Sequence, residues 1–431
     1  MKRLSRLTAA PLAAVAALAL GLSACSSTAP AGTADPGGTS PAAPSEPTDI
    51  TYWLWQDNAT DTTWQQLADT FNASQSEVRV TMEVIPLDQY QNQLVTSILN
   101  GTGPDAARSK DWWLGQFAPQ GALADLTPLI DQWSSKSDVV EGLWETGRLP
   151  GKPEIYMLPH QFTTLYLYYR KDIFQSAGLE APTSQSELVA AAKALTTGSG
   201  QYGIDVRGGG GGQDQWLAWM FAGGADVVDG SGAVVIDDAT AVEINQKYLD
   251  LVDQGSTPPG SITAAFADVK TNFASGVTTM MIHHPGSLTE MRDTFGDDLG
   301  VVAIPTADGQ PGATLGAMSG NVILAGSAKQ EAAWKWISWL SEPDQMVTIS
   351  DSAQGQLPVL TSTLSREVYQ QDEGLVVATD ATKTARTWPA LPGVAQLAGK
   401  DWSPTIQSAF QGELTSQEAL TEMAAVLKSG A

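Results

Sequence analysis

Cysteine is almost absent from this chain: of 431 residues one is a cysteine, Cys25, so no intramolecular disulfide can form and stability must come from packing. Histidine is nearly as scarce, with only His160, His283 and His284. No two histidines lie four apart on a helix and no cysteine pair is available, which argues against a zinc site or any other metal centre. Adjacent histidines on a strand point to opposite faces, so one of His283 and His284 should meet a polar cavity while the other packs. Basic residues are few, 23 against 47 acidic ones. The formal charge of −24 repels phosphate at long range and excludes nucleic acid as a partner. There is no Gly-x-Ser-x-Gly, and the lone cysteine precedes the folded part, so nucleophilic catalysis has no obvious bearer. Five glycines at 208–212 are not followed by Gly-Lys-Ser or Gly-Lys-Thr. They read as a mobile rim loop rather than a phosphate cradle, and no cofactor is implied.

What is present begins with an address. Lys2, Arg3 and Arg6 precede an apolar run over 7–22 and then Leu22-Ser23-Ala24-Cys25, the order of a signal peptide over 1–24. The last four residues resemble a bacterial lipoprotein cleavage box. That resemblance implies a lipid on the Cys25 sulfur and an extracytoplasmic protein anchored to the outer face of the cell membrane; an ordinary secretory leader is the alternative. Residues 25–48 are nearly all Ser, Thr, Ala, Pro and Gly and cannot bury enough apolar area to fold, so they read as a disordered tether.

From Asp49 strand and helix patterns alternate, which defines an α/β protein. A strand over 50–55 precedes a helix over 61–72 with Trp64, Leu67, Ala68 and Phe71 on one face behind Asp61. Alternating Val78, Val80, Met82 and Val84 then precede a helix carrying Leu87, Tyr90, Leu94 and Ile98 and ending at Gly101. Two such units predict a parallel sheet with ligands beyond the carboxyl ends of its strands. Three capping boxes mark later helix starts: Ser184 with Glu187, Ser327 with Gln330, and Thr415 with Glu418. Pro343 should end the second of these helices and Gly430 the third, and 277–283 and 300–305 read as buried strands.

Fourteen tryptophans exceed nine phenylalanines. Trp64, Trp334, Trp336 and Trp339 fall in helical patterns and read as core. Others sit beside amide and carboxylate residues at strand ends or loops: Trp55 with Gln56 and Asp57, Trp112 with Asp111, Trp216 beside Asp214 and Gln215, and Trp388. An indole face beside fixed acceptors takes the C–H face of a pyranose while the acceptors take its hydroxyls, so a sugar is the leading ligand. With 47 acids a carboxylate pair of glycosidase spacing can always be found and singles out nothing; a secreted carbohydrate-active hydrolase is the second reading.

Several segments together resemble one family. They are Ile50-Thr51-Tyr52-Trp53-Leu54-Trp55; Gly101-Thr102-Gly103-Pro104-Asp105 with Asp111-Trp112-Trp113; and Gly121-Ala122-Leu123-Ala124-Asp125-Leu126-Thr127-Pro128. Further on come Tyr156-Met157-Leu158-Pro159, Leu167-Tyr168-Tyr169-Arg170-Lys171-Asp172-Ile173-Phe174, Phe273-Ala274-Ser275-Gly276 with Met280-Met281, and Ala333-Trp334-Lys335-Trp336-Ile337. In order and spacing the chain is similar to extracellular solute-binding proteins of bacterial ABC sugar importers, of the maltose-binding-protein kind.

The resemblance implies a two-lobed periplasmic-binding-protein-like fold of the class II type, with lobe I at 49–158 plus 317–355 and lobe II at 159–316 plus 356–431. Crossings would fall near Pro159, Gly316 and Pro358. It further implies a monomer that binds a sugar or oligosaccharide between the lobes, performs no chemistry, and docks on the transmembrane permease of an ABC transporter. Carried over as ligand-binding residues are Trp55, Gln56, Asp57, Asp111, Trp112, His160, Gln161, Trp216, His284, Met318, Ser319 and Trp388, with Arg207 and Arg386 as clamps for hydroxyls or a carboxylate. Many relatives have Gly-Gly-Pro-Trp where this chain has His283-His284-Pro285-Gly286, so the stacking tryptophan usual at that place is missing.

Overall fold

The computed structural model describes residues 46–56, 60–149, 151–307, 312–352, 356–389 and 391–429, apart from the Asp88 side chain. The leader, Cys25, nearly all of the tether, Asp57 and Gly430 lie outside the described residues. No helix among those described is long and apolar enough to cross a membrane.

The first half follows from residue periodicity. Strand β1 (Thr48–Leu54) buries Ile50, Tyr52 and Leu54 on alternate positions, and α1 (Thr63–Ser74) buries Trp64, Leu67, Ala68 and Phe71 along one helical stripe. Thr48, placed in the tether by composition, already belongs to β1 and donates its N–H to the Glu77 carbonyl. Strand β2 (Val78–Val84) runs parallel to β1 with Thr48 opposite Val78 and Leu54 opposite Val84, and α2 (Leu87–Leu99) closes the second unit. Gly101 follows at φ +66°, a conformation that favours glycine.

The first sheet has the order β10-β4-β9-β3-β1-β2, with β3 Ala106–Lys110, β4 Leu158–Thr164, β9 Gly316–Ile323 and β10 Leu357–Pro358. The second has the order β6-β7-β5-β8, with β5 Tyr166–Arg170, β6 Tyr202–Asp205, β7 Thr278–His283 and β8 Leu299–Val302. Helices pack against both sheets, giving a two-lobed α/β fold of the class II binding-protein type. The expected parallel sheet holds only in part. Strands β2, β1 and β3 are parallel, as are β6 and β7, but β9 and β4 enter the first sheet antiparallel to their neighbours. Those strands arrive from distant sequence by crossing between sheets, which local pattern cannot register. The chain leaves the first sheet at Thr164 and enters the second at Tyr166, six residues beyond the expected crossing at Pro159.

Two of the three capping boxes form. Ser184 accepts from the Glu187 N–H while Glu187 accepts from that of Ser184, and Thr415 and Glu418 exchange the same pair of bonds. Ser327 does not cap: its hydroxyl donates to Asp105 Oδ1 at 2.7 Å, and the helix Gln330–Leu340 starts from Lys329 instead. Pro343 lies past the end of that helix and opens the next, Pro343–Ser350.

The glycine run is packed tightly rather than loosely hung. A Cβ on Gly208 would lie 2.0 Å from the Ile262 carbonyl oxygen, and one on Gly212 would lie 1.9 Å from that of Arg207. Glycine is needed because two backbones meet there. Gly211, at φ +80°, then turns the chain into the helix Gly212–Ala222.

Candidate functional site

A cleft of about 1040 Å³ opens between the two sheets. The ends of two parallel strands of the first sheet supply Trp55 and Gln56 after β1, and Lys110 and Trp112 at the end of β3. Two parallel strands of the second supply Arg207 after β6 and His284 after β7. Carboxyl-terminal strand ends are where an α/β sheet presents ligand groups, because its loops and helix starts converge there. The crossings also line it, with Leu165 between β4 and β5, Leu315 just before β9, and Ala317, Met318 and Ser319 at the start of β9.

On the first-lobe wall, Trp55 and Trp112 are only 2% and 6% exposed, so each offers an edge to the cleft rather than a free face. Trp55 is held by edge contacts to Tyr90 at 5.2 Å and Trp113 at 5.4 Å, and the Arg108 guanidinium lies 4.2 Å from its ring centre. Lys110 Nζ stands between the two indoles, 6.0 Å from one ring centre and 5.8 Å from the other. Asp111 lies behind this wall. It accepts from the N–H of Trp112 and, at 3.4 Å, from that of Met318, so it ties the end of β3 to β9. Burial pushes its carboxyl up to about 7, against the pull of those hydrogen bonds and of Lys110.

On the second-lobe wall the half-buried ring of Phe266 stacks on His284, 4.9 Å between centres and 17° between planes. His284 Nδ1 accepts from the Gly286 N–H, so in the neutral ring the proton sits on Nε2. His283 is fully buried, and its Nδ1 meets the Ser287 hydroxyl at 2.8 Å. One histidine therefore lines the cleft and the other packs, as expected. Their rings nonetheless stack 4.8 Å apart instead of facing opposite ways, because His284 lies past the last residue of β7 and begins a turn.

Of the residues expected at the site, Trp55, Gln56, Trp112, Arg207, His284, Met318 and Ser319 line the cleft together, and Asp57 lies outside the described residues. Trp388 reaches it only through Asp214, to whose Oδ1 its indole N–H donates at 3.3 Å. Asp111 stands behind the wall and not in the lining, and four more residues are elsewhere. His160 is skipped by the β4–β9 register, which shifts between Pro159 and Gln161, and its ring packs on Trp64 with Nδ1 3.3 Å from Ser341 Oγ. Burial, with Arg108 nearby, lowers His160 to about 3. Gln161 is buried and accepts from Arg108 Nη2. Trp216 is core: it is wholly buried, donates to Asn245 Oδ1 at 2.8 Å and leans on Trp402. Arg386 pairs with Asp226 at 2.7 Å, and its backbone braces the crossing by exchanging hydrogen bonds with Thr314 and Gly316.

Sequence reasoning missed Lys110, Phe266, Lys400 and the α2 amide Gln91, all of which line the cleft. Lys110 directly precedes Asp111-Trp112 and could have been included with them. Phe266 carries no such signal, since only the fold brings it beside His284.

These features define a two-lobed α/β protein with a cleft between its lobes. A family model described as bacterial extracellular solute-binding protein matches residues 56–347, more than half of the chain, and the chain belongs to that family. A binding protein of Brucella abortus (strain 2308) is 27% identical over 366 residues, 84% of this chain and 88% of that one. Among solved structures, the maltose-bound MalE3 of T. maritima superposes with a TM-score of 0.80 at 24% identity, covering 88% of this chain and 99% of that one. The GacH receptor of Streptomyces glaucescens, solved unliganded and with acarbose, gives 0.79 at 23% identity, covering 90% and 100%.

Proposed function

We propose that the protein is a lipid-anchored receptor that captures a carbohydrate in the inter-lobe cleft and hands it, unchanged, to the permease of an ABC importer. The observation that carries this reading is the cleft itself: indole edges and amide side chains on one wall face an aromatic pair and a guanidinium on the other, across crossing strands. Its volume lies just above the ~300–1,000 Å³ usual for small-ligand sites, which suits a saccharide. Maltose and acarbose, held by the two structural relatives above, agree with that class of ligand. Among the described residues the one carboxylate lining the cleft is Asp214, engaged by Lys110 and Trp388, so nothing on view favours the two-carboxylate chemistry of a glycosidase. The protein acts as a monomer. The change of sheet at Leu165 and the return through Leu315 support lobes divided close to the expected boundaries, with β4 placed in lobe I.

Binding must draw mostly on hydrogen bonds. Covering one pyranose face, roughly 60–80 Å² of apolar area, contributes about 1.5–2 kcal/mol, whereas a micromolar constant needs about 8 kcal/mol. The test is a thermal-shift screen with mono- and oligosaccharides and polyols, followed by a search for products. Stabilisation with intact sugar is expected; no response to any member, or turnover, would overturn the reading. Replacing Cys25 by Ser should release the protein from membranes if the lipid is real.

A further inference from the structure

Arg207 is the least compensated buried charge in the cleft. It is 3% exposed, yet among the described residues its guanidinium has one hydrogen bond, from Nη1 to the neutral Gly211 carbonyl at 3.0 Å. Among the described residues its buried Nε has no partner, and no carboxylate lies within ion-pair distance. The stack on Phe266, 4.9 Å from the ring centre, orients the group without neutralising it. Asp214 attracts it most strongly and Asp205 less, both from beyond ion-pair distance, but Asp214 is shared with Lys110 and Trp388, and Asp205 with Ser261 and Asn272. Burial lowers the Arg207 pKa only to about 10, so the charge persists at neutral pH.

The rest of the lining points the same way. Among the described residues Lys110, Arg207 and Lys400 oppose the single acid Asp214, in a chain with twice as many acids as bases. Lys400 is exposed at the rim and its side chain has no ion pair or hydrogen bond among the described residues. A buried cation without a counter-ion is unfavourable, and a cleft whose sign opposes that of the whole molecule concentrates anions. Sugar hydroxyls could accept from Arg207 but could not balance its charge.

We propose that the carbohydrate taken by this cleft carries an anionic oxygen group, a carboxylate or a phosphate, that docks on Arg207 with Lys400 at the rim. This rests on the sugar-capture reading above. Charge-assisted hydrogen bonds to the free edge of the guanidinium would then supply binding that aromatic edges cannot.

The experiment compares matched probes by calorimetry: glucose, glucuronate and glucose 6-phosphate, and galactose, galacturonate and galactose 1-phosphate, with maltose as a neutral oligosaccharide. One charged member should bind at least about tenfold more tightly than its neutral parent, and Arg207→Gln should remove that preference, bringing the ratio of charged to neutral affinity towards one. Lys400→Gln, at an exposed position that leaves the fold intact, should reduce the preference and its sensitivity to salt if Arg207→Gln fails to fold. A uronate preference assigns the group as a carboxylate and a sugar-phosphate preference as a phosphoryl group. If neutral sugars bind as well as charged ones, the anion assignment falls and sugar capture stands. If no sugar of either kind binds, both fall.

Discussion

Two tryptophans with similar neighbours in sequence play opposite parts. Trp216 sits between Gln215 and Leu217 on a helix buried on nearly every side, where Gln215 accepts from the Arg207 N–H and from the Tyr248 hydroxyl. Its polar neighbour serves buried backbone, not solvent, which composition alone does not reveal. Trp216→Ala should therefore cost about 3–5 kcal/mol in a denaturant melt, with ligand affinity unchanged in the fraction that folds. Trp112→Ala should instead weaken sugar binding about tenfold, or ~1.4 kcal/mol by calorimetry, because its edge lines the cleft. Asp111 adds a pH signature. Its folded carboxyl is raised to about 7 from an ordinary 3.8, so between those values the folded state holds a proton that the unfolded state has shed. Stability from this group is present at the acid end and declines as pH rises through that window, by on the order of 4 kcal/mol. His160 acts oppositely, since its folded ring at about 3 refuses a proton that the unfolded ring accepts below 6.5. Asp111→Asn isolates the first effect: the wild type minus variant difference in unfolding free energy should shrink between pH 5 and pH 8 in urea melts. An unchanged difference would place the Asp111 carboxylate in an ordinary environment.

At the scale of elements, the sequence is most legible where a face repeats within a dozen residues. The units β1-α1 and β2-α2 match their apolar stripes, and the boxes at Ser184 and Thr415 form because their partners are three residues away. Legibility fails where the decisive partner is remote. Ser327 is drawn to Asp105, β9 inserts beside β3 from two hundred residues on, and the glycine run meets the 261–264 backbone. The glycines are open to direct test. A Cβ at Gly212 would meet the Arg207 carbonyl and, at 2.6 Å, the Trp402 ring, so Gly212→Ala should destabilise by about 3 kcal/mol or more, since neither neighbour is a flexible tip. At Gly210 a Cβ would meet nothing within 4 Å, so Gly210→Ala should stay within about 0.5 kcal/mol of wild type. Paired melts of the two variants would separate tight packing from loop freedom: equal and small effects would restore a mobile loop.

For the whole molecule, the site is a junction between distant segments, so only its strand-end half was visible in the sequence. Trp55, Gln56 and Trp112 follow recognisable strands, whereas Phe266, Asp214 and Lys400 meet them only once the two lobes are in place. One contact across that junction bears on closure. Lys110, at the end of β3 in the first sheet, lies 4.0 Å from Asp214, on the helix that follows β6 of the second, and both side chains are about four-fifths covered. Moving the lobes apart would separate these charges and expose them to water, so the pair favours the closed arrangement by an amount at the upper end of surface ion pairs, about 1 kcal/mol. A bias of that size changes a two-state equilibrium roughly fivefold. Asp214→Asn keeps an acceptor for the Trp388 indole while removing the attraction to Lys110. In solution scattering without ligand the variant should show a larger mean radius of gyration than wild type, and high salt should move wild type in the same direction while leaving the variant unmoved. Saturating sugar should bring both to the same compact value, because ligand contacts to both walls outweigh a single ion pair. Equal radii for the two proteins without ligand would mean that the lobes are held by the crossing segments alone.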